Sequence, residues 1–250
     1  MKAFFYWILY PLTRPFFLIL LILDTFFLAC VIIFISPFDQ KGVLLHHVGK
    51  FWSRLHILLS GARVQVNGLE KIQKGQAYVL MSNHQSLFDV WVVIAYLPLQ
   101  IRWIIKAEIR KMPIFGYALK RMGHIYVEKD WKRKKMDYIT TKALEKIKEG
   151  TSIFIFPEGT RSKDGNLLPF KKGGALIAIR TGAPVLPITI NGSRFVLPKD
   201  TMQLMPGKIQ IVIGDAIDVH EYTTEDRTLL TDKVKNSIEQ NLDVTYGSIP

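Results

Sequence analysis

Residues 152–162 read Ser-Ile-Phe-Ile-Phe-Pro-Glu-Gly-Thr-Arg-Ser. The apolar run from Ile153 to Phe156 is unbroken, too short for a helix, and closed by a proline, so it reads as a strand. A strand apolar at every position is buried on both faces, the usual state of a strand inside a parallel sheet. Outward from it, Met136–Lys148 and Gly173–Arg180 carry helical patterning on either side. Further strands are expected at Arg63–Val66, Ala77–Ser82, Ile101–Ile105, His124–Val127, Val185–Ile190 and Lys208–Ile213. Helices are expected at Leu87–Tyr96, Ile109–Arg121 and Thr224–Leu242, and Arg194–Gly207 reads as the longest loop. Alternating strands and helices predict an α/β fold, a mostly parallel sheet flanked by helices.

Before residue 60 the pattern differs. Phe16–Ile35 is a twenty-residue apolar run with one charge, Asp24, long enough at about 1.5 Å per residue to cross a bilayer core. A cleaved leader fits less well, because the run is too long and Ser36-Pro37-Phe38-Asp39 follows in place of a small-residue cleavage site. A shorter apolar stretch, Phe4–Leu12, ends at Thr13-Arg14-Pro15, where proline discourages a continuous helix. Either the second run spans the bilayer, or the two runs pack as a hairpin in one leaflet. Asp24 would cost about 2.5–3.5 kcal/mol in hydrocarbon, which favours tilt, a protein contact or a shallow position. Leu44–Leu59 reads as an amphipathic helix through Leu45, Val48, Phe51, Trp52, Leu55 and Leu59. It either covers the core or lies at the interface with Trp52 as an anchor. Residues 1–60 are therefore expected to be a membrane-anchoring helical segment, and residues 61–250 the α/β domain.

The formal charge is +12, and residues 102–150 hold 14 Lys and Arg against 6 Asp and Glu, a net of +8. Such a surface suits nucleic acid, an anionic membrane or an acidic carrier, although a charge run is also commonly just a solvated face. Nucleic acid is disfavoured, since only Trp131 and Tyr138 are interleaved with the basic residues as stacking platforms. The single cysteine, Cys30, lies in the apolar run. It excludes an internal disulfide and any cysteine-based metal site.

Ligands gather beyond the carboxyl ends of strands in such sheets, and two polar stretches fall there. Asn83-His84-Gln85-Ser86-Leu87-Phe88-Asp89 follows one strand. A loop-to-helix turn can bring His84 and Asp89 together as a base and its orienting partner, with no serine or cysteine nucleophile needed. The bland reading is a capping box between Ser86 and Asp89. Pro157–Ser162 follows the other strand, with Gly159 for a tight turn and Arg161 as a planar fork for phosphate. Its bland reading is a surface Glu158–Arg161 ion pair, worth about 0–1 kcal/mol. A Gly-x-Ser-x-Gly elbow is missing from the sequence, which argues against a serine hydrolase.

Together, Asn-His-x-x-x-x-Asp and Phe-Pro-Glu-Gly-Thr-Arg-Ser resemble the phospholipid/glycerol-phosphate acyltransferase family. The resemblance spans roughly residues 62–215 and is closest to its bacterial 1-acyl-glycerol-3-phosphate branch. Lys106-Ala107-Glu108, Gly123–Val127, Pro169–Gly173 and Val185–Ile188 add to it. It implies that His84 is the general base and Asp89 its partner, in the pattern His-x4-Asp. Glu158, Gly159, Thr160 and Arg161 would bind the acceptor, Lys106 would lie near its phosphate, and Pro187 would be structural or touch the donor. The implied acceptor is lysophosphatidic acid and the implied donor acyl-ACP or acyl-CoA, with no cofactor and no metal. An anionic phospholipid membrane is the implied partner surface, with the catalytic domain on the cytoplasmic side of the inner membrane. A different acceptor within the family, or a non-catalytic lipid-binding scaffold, are the alternatives. The triplet Val127-Glu128-Lys129 departs from the family's Ile-Asp-Arg, and lysine lacks the bidentate geometry of arginine.

Overall fold

A computed structural model describes residues 2–128, 133–201 and 203–248, and only the backbone of residues 2–14 and 133–135. Seven strands form one sheet: β1 (Arg63–Asn67), β2 (Val79–Ser82), β3 (Ile101–Lys106), β4 (Ile125–Val127), β5 (Ser152–Ile155), β6 (Val185–Asn191) and β7 (Lys208–Ile213). Their order is β1-β7-β6-β2-β5-β3-β4. The five strands from β6 to β4 are mutually parallel, and β7 joins them antiparallel to β6, with β1 parallel to β7. The expected mostly parallel α/β sheet is thus present. Burial follows sheet position: β2, β5 and β6 are buried at every residue, whereas β7 alternates and β1 at the edge is partly exposed throughout.

Helices cover both faces. On one, α3 (Phe88–Tyr96) supplies Phe88, Trp91, Val92 and Val93, and α2 (Val43–Ser60) adds Ile57. On the other, α5 (Arg133–Lys148), α6 (Gly173–Thr181) and α8 (Arg227–Glu239) pack through Ile139, Ala143, Ile177, Leu230 and Val234. The strand and helix expectations from residue 61 onward hold, with two exceptions. The run 109–121 is not one helix. A 3-10 turn, Ala107–Lys111, stops at Met112, and α4 (Phe115–Arg121) starts afresh, because Pro113 has no N–H to donate and steers Met112 into extended backbone. The stretch read as a loop from Arg194 contains most of a short helix, α7 (Ser193–Val196).

The amino-terminal expectations need two corrections. Helix α1 runs unbroken from Lys2 to Ile35, through Pro11 and Pro15. A proline removes one backbone bond, but unravelling a turn in an apolar setting would leave several groups unsatisfied, so the helix continues. The hairpin is made by α1 with α2, not by the two apolar runs. The second correction concerns α2, whose buried stripe is Leu45, His46, Gly49, Ser53, His56, Ile57 and Ser60, while Leu44, Phe51, Leu58 and Leu59 face outward. Trp52 turns toward the protein, donating to Thr25 Oγ1 at 3.0 Å and meeting Trp91 edge-on. Lys50 and Arg54 donate to the carbonyls of Leu97 and Ala95, where α3 ends. Within α1, Pro15–Ile35 has a mean hydropathy of 3.0 and is only 11% buried, long and apolar enough to cross a membrane.

Candidate functional site

Strands β2 and β5 are neighbours in register and in direction, so the chain segments leaving them emerge side by side. The segment after β2 is pinned from below. Asn83 donates to the Ile190 carbonyl and accepts from the Ile190 amide, both at 2.8 Å, and Gln85 adds a bond to the same carbonyl. Ser86 Oγ donates to the Leu197 carbonyl at 2.7 Å. This loop is therefore rigid before any ligand arrives.

His84 and Asp89 meet. The ring Nδ1 lies 2.7 Å from Asp89 Oδ2, which also accepts the amides of Gln85 (2.6 Å) and Ser86 (2.8 Å). One carboxylate oxygen thus ties down the two loop amides ahead of α3 and orients the imidazole, while Ser86 Oγ accepts the Phe88 amide at 3.2 Å. The reciprocal Ser86 Oγ bond to the Asp89 amide that a full capping box needs is not made, since that amide meets the Ser86 carbonyl. An oxygen that already accepts two amides acts on the ring as an acceptor, which assigns the hydrogen to Nδ1 and leaves Nε2 with its lone pair. Asp89 is fully buried, while the His84 side chain is 15% exposed. The imidazole stacks on Phe156, ring centres 3.8 Å apart and planes within 8°. That contact and the aspartate fix the ring in two directions.

Two backbone links join the motifs. The His84 amide donates to Glu158 Oε1 at 2.8 Å, and the Ser162 amide donates to the His84 carbonyl at 2.7 Å. Glu158 spends its other oxygen on the Leu168 amide at 3.0 Å. It makes no ion pair with Arg161, contrary to the bland reading of that turn. Burial pushes the Glu158 carboxyl up to about 7, against the opposing pull of its two amide bonds. Gly159 has φ 70, so the turn needs glycine for its backbone, and Lys171 Nζ lies close beside it.

Arg161 instead approaches Asp200, Nη2 to Oδ1 at 3.4 Å. Lys199 donates to the Arg161 carbonyl at 2.7 Å and approaches Thr160 Oγ1 at 3.4 Å. A surface pair of this length is weak, so a phosphate can displace the carboxylate from the guanidinium. Lys106 ends β3 and is exposed, and Pro187 lies in β6 opposite Met81, fully within the sheet. Lys129 and the side chains of the run Lys129–Lys135 lie outside the described residues. Sequence reasoning missed Phe156 as a stacking partner, Glu158 as an internal strut, the approach of Lys171 to Gly159, and Lys199 and Asp200 altogether. Only the strand assignment of Phe156 carried a signal; the others depend on segments far apart in the chain. Among the described residues no three His, Cys, Asp or Glu side chains converge as a metal site.

The sequence profile of the family described as Acyltransferase matches residues 63–191. The chain is 31% identical over 205 residues to a Pseudomonas aeruginosa 1-acyl-sn-glycerol-3-phosphate acyltransferase, covering 80% of this chain and 79% of that one. It is 33% identical over 214 residues to the chloroplastic 1-acyl-sn-glycerol-3-phosphate acyltransferase BAT2 of Brassica napus, and spans 60% of that protein's length. Its fold is similar to the crystal structure of the 1-acyl-sn-glycerophosphate (LPA) acyltransferase PlsC from Thermotoga maritima. The TM-score is 0.76 at 26% identity, over 92% of this chain and 94% of that one.

Proposed function

Since this chain belongs to the acyltransferase family, we propose that it is a 1-acyl-sn-glycerol-3-phosphate acyltransferase. It moves a fatty acyl group from acyl-ACP or acyl-CoA to the sn-2 hydroxyl of lysophosphatidic acid, giving phosphatidic acid. One observation carries the reading. The His84–Asp89 pair, with Nε2 left open, is bonded through its own backbone to the turn that bears Arg161.

The chemistry follows from that arrangement. The acceptor's hydroxyl oxygen attacks the thioester carbonyl while His84 Nε2 takes its proton. The C–O bond forms, the C–S bond breaks, and the imidazolium returns the proton to the departing thiolate. Asp89 holds the ring and balances its transient charge, and the general-base help from His84 is worth about 10²–10⁴-fold in rate. Arg161, with Lys106 nearby in the scheme, holds the acceptor's phosphate. Gly159 and Thr160 shape the turn, and Glu158 acts from beneath it by tying the two motifs together. Fixing both reactants supplies the larger share, up to about 7–11 kcal/mol of the barrier.

Residues 1–60 act in this scheme as the membrane-anchoring segment and residues 61–250 as the acyltransferase domain, on the cytoplasmic side of the inner membrane. Both acceptor and product are lipids, so an exposed apolar helix in the same chain suits them. The test is a transfer assay with purified full-length protein, crossing glycerol 3-phosphate and lysophosphatidic acid with acyl-ACP and acyl-CoA. Phosphatidic acid should form from lysophosphatidic acid and at least one donor. Absence of product from every pair, or undiminished product from His84→Ala, rejects the proposal.

A further inference from the structure

Between β3 and α4 the backbone makes a turn that an ordinary loop would avoid. Ile114 has φ 58 and ψ −59, and the Phe115 amide closes a three-residue γ-turn onto the Pro113 carbonyl. A β-branched residue at positive φ is costly, about 1–3 kcal/mol, and persists only where its surroundings impose it. They do so here. A Cβ at Gly116 would lie 2.6 Å from the carbonyl oxygens of both Ile109 and Arg110, so α4 is packed hard against the 3-10 turn. Tyr126 holds the junction by donating to the Gly116 carbonyl at 3.0 Å.

This strain maintains an apolar projection. Met112, Ile114 and Tyr117 are 51%, 36% and 48% exposed, on consecutive turns of one rigid corner. Around them, residues 106–121 contain five Lys and Arg (Lys106, Arg110, Lys111, Lys120, Arg121) and one acid, Glu108, a net of +4. Arg110 and Lys120 also border, with Tyr126, a depression of about 630 Å³. The other side of α4 rests on the apolar helix. Ala118 and Met122 pack with Ala29 and Ile32 of α1, and Arg121 donates to Ser36 Oγ at 2.7 Å.

We propose that the Met112–Tyr117 corner is a second bilayer contact, dipping its apolar tip among the acyl chains while the surrounding cations engage anionic headgroups. Apolar side chains ringed by Lys and Arg are the chemistry of an anionic lipid interface, where each cation near the surface contributes about 1 kcal/mol. The corner is continuous with α1 and directly follows Lys106 at the carboxyl end of β3. It therefore sets the height of the site mouth above the membrane. An acidic protein would be drawn to the same cations, but it gives no reason to hold a strained apolar tip out in water.

The test reads depth, not turnover, so it succeeds or fails independently of the transfer assay. Cys30 is the only cysteine, and a Cys30→Ser background accepts single labels at Met112→Cys, Tyr117→Cys and, as a control, Glu225→Cys. Glu225 is exposed and precedes α8, which packs on the sheet face away from α1. Full-length protein carrying bimane at each position is placed in vesicles of phosphatidylcholine and phosphatidylglycerol containing a 5-doxyl lipid. Quenching at positions 112 and 117 should be at least twofold above that at 225. Quenching equal to the control overturns the proposal, as does a bimane signal that responds to an acidic acyl carrier protein and not to the doxyl lipid. Tyr117 lies within α4, outside the strained turn, so its variant keeps the test available if Met112→Cys does not fold. As a second reading, Met112→Ser with Tyr117→Ser should raise KM several-fold for acceptor presented in vesicles. It should leave KM unchanged for a water-soluble short-chain acceptor, which a merely misfolded site would not.

Discussion

Among the described residues three histidine–aspartate pairs occur; Asp218–His220 lies exposed on the surface, and the other two differ in everything except composition. In His84–Asp89 the aspartate is buried and bound by two amides, while the ring keeps one nitrogen open toward solvent. In His56–Asp24, between α2 and α1, the histidine is the buried member at 1% exposure. Its Nδ1 is taken by the Trp52 carbonyl at 2.7 Å, and its Nε2 sits 3.3 Å from Asp24 Oδ2 without hydrogen-bond alignment. Phe17, Trp52 and Trp91 enclose it. Only Nδ1 of His56 is hydrogen-bonded, but the ring is sealed from solvent on every side, so this pair offers no nitrogen to a ligand. It places a histidine beside Asp24 in the apolar helix, a protein contact, which was one of the three ways the sequence left open of easing that charge. A reactive pair needs a fixed acid, an oriented ring and one unspent nitrogen facing a space.

That contrast can be broken by mutation. His84→Ala should lower turnover by about 10²–10⁴-fold with little change in thermal unfolding; a fall of less than tenfold would remove the distinction between the pairs. Arg161→Ala is expected to raise KM for lysophosphatidic acid by about 10- to 100-fold, the worth of hydrogen bonds to a charged group, with a smaller effect on kcat. His56→Ala should do the reverse, costing about 1–3 kcal/mol in urea unfolding by stranding Asp24 while leaving turnover per folded molecule within twofold. If His56→Ala abolished turnover at full stability, the anchoring role would be wrong.

The smallest effect is one of pH. Burial raises the Glu158 carboxyl from about 4.5 to about 7, so between those values the folded chain holds more protons than the unfolded one. Its contribution to stability is full below pH 4.5 and is lost as pH rises toward 7. Glu158→Gln should flatten that slope, being slightly less stable than the parent at pH 5, where one of the two amides loses its acceptor, and closing or reversing that gap by pH 7.5. Urea midpoints of both proteins at pH 5 and pH 7.5 check the sign.

Much of this architecture was legible in the residues. Ile153–Phe156 announced a central parallel strand, and it pairs with β2 and β3. His84 and Asp89 were read as a pair across a loop-to-helix turn, and they are 2.7 Å apart. What escaped was of another kind. Periodicity on α2 gave one apolar stripe from Leu45 to Leu59 and left open whether it met the core or the interface. The structure splits it, with Leu45 buried and Phe51 and Leu59 outward, because the packing of α1 and α3 selects the buried side. Pro15 looked like a helix end, because propensity ignores the apolar surroundings that penalise unravelling.

By itself the sequence determined which segments become strands, which helices follow them, and that two polar loops leave the same end of the sheet. Those properties are local, set by apolar continuity and by a handful of prolines and glycines. The tertiary structure alone decided that Glu158 would bond the His84 amide across 74 positions, that Arg161 would rest on Asp200 across 39, and that His56 would meet Asp24. Such contacts arise only when distant backbones are fixed by a shared core. No pattern within a helix turn or a strand records which partner that packing will bring near.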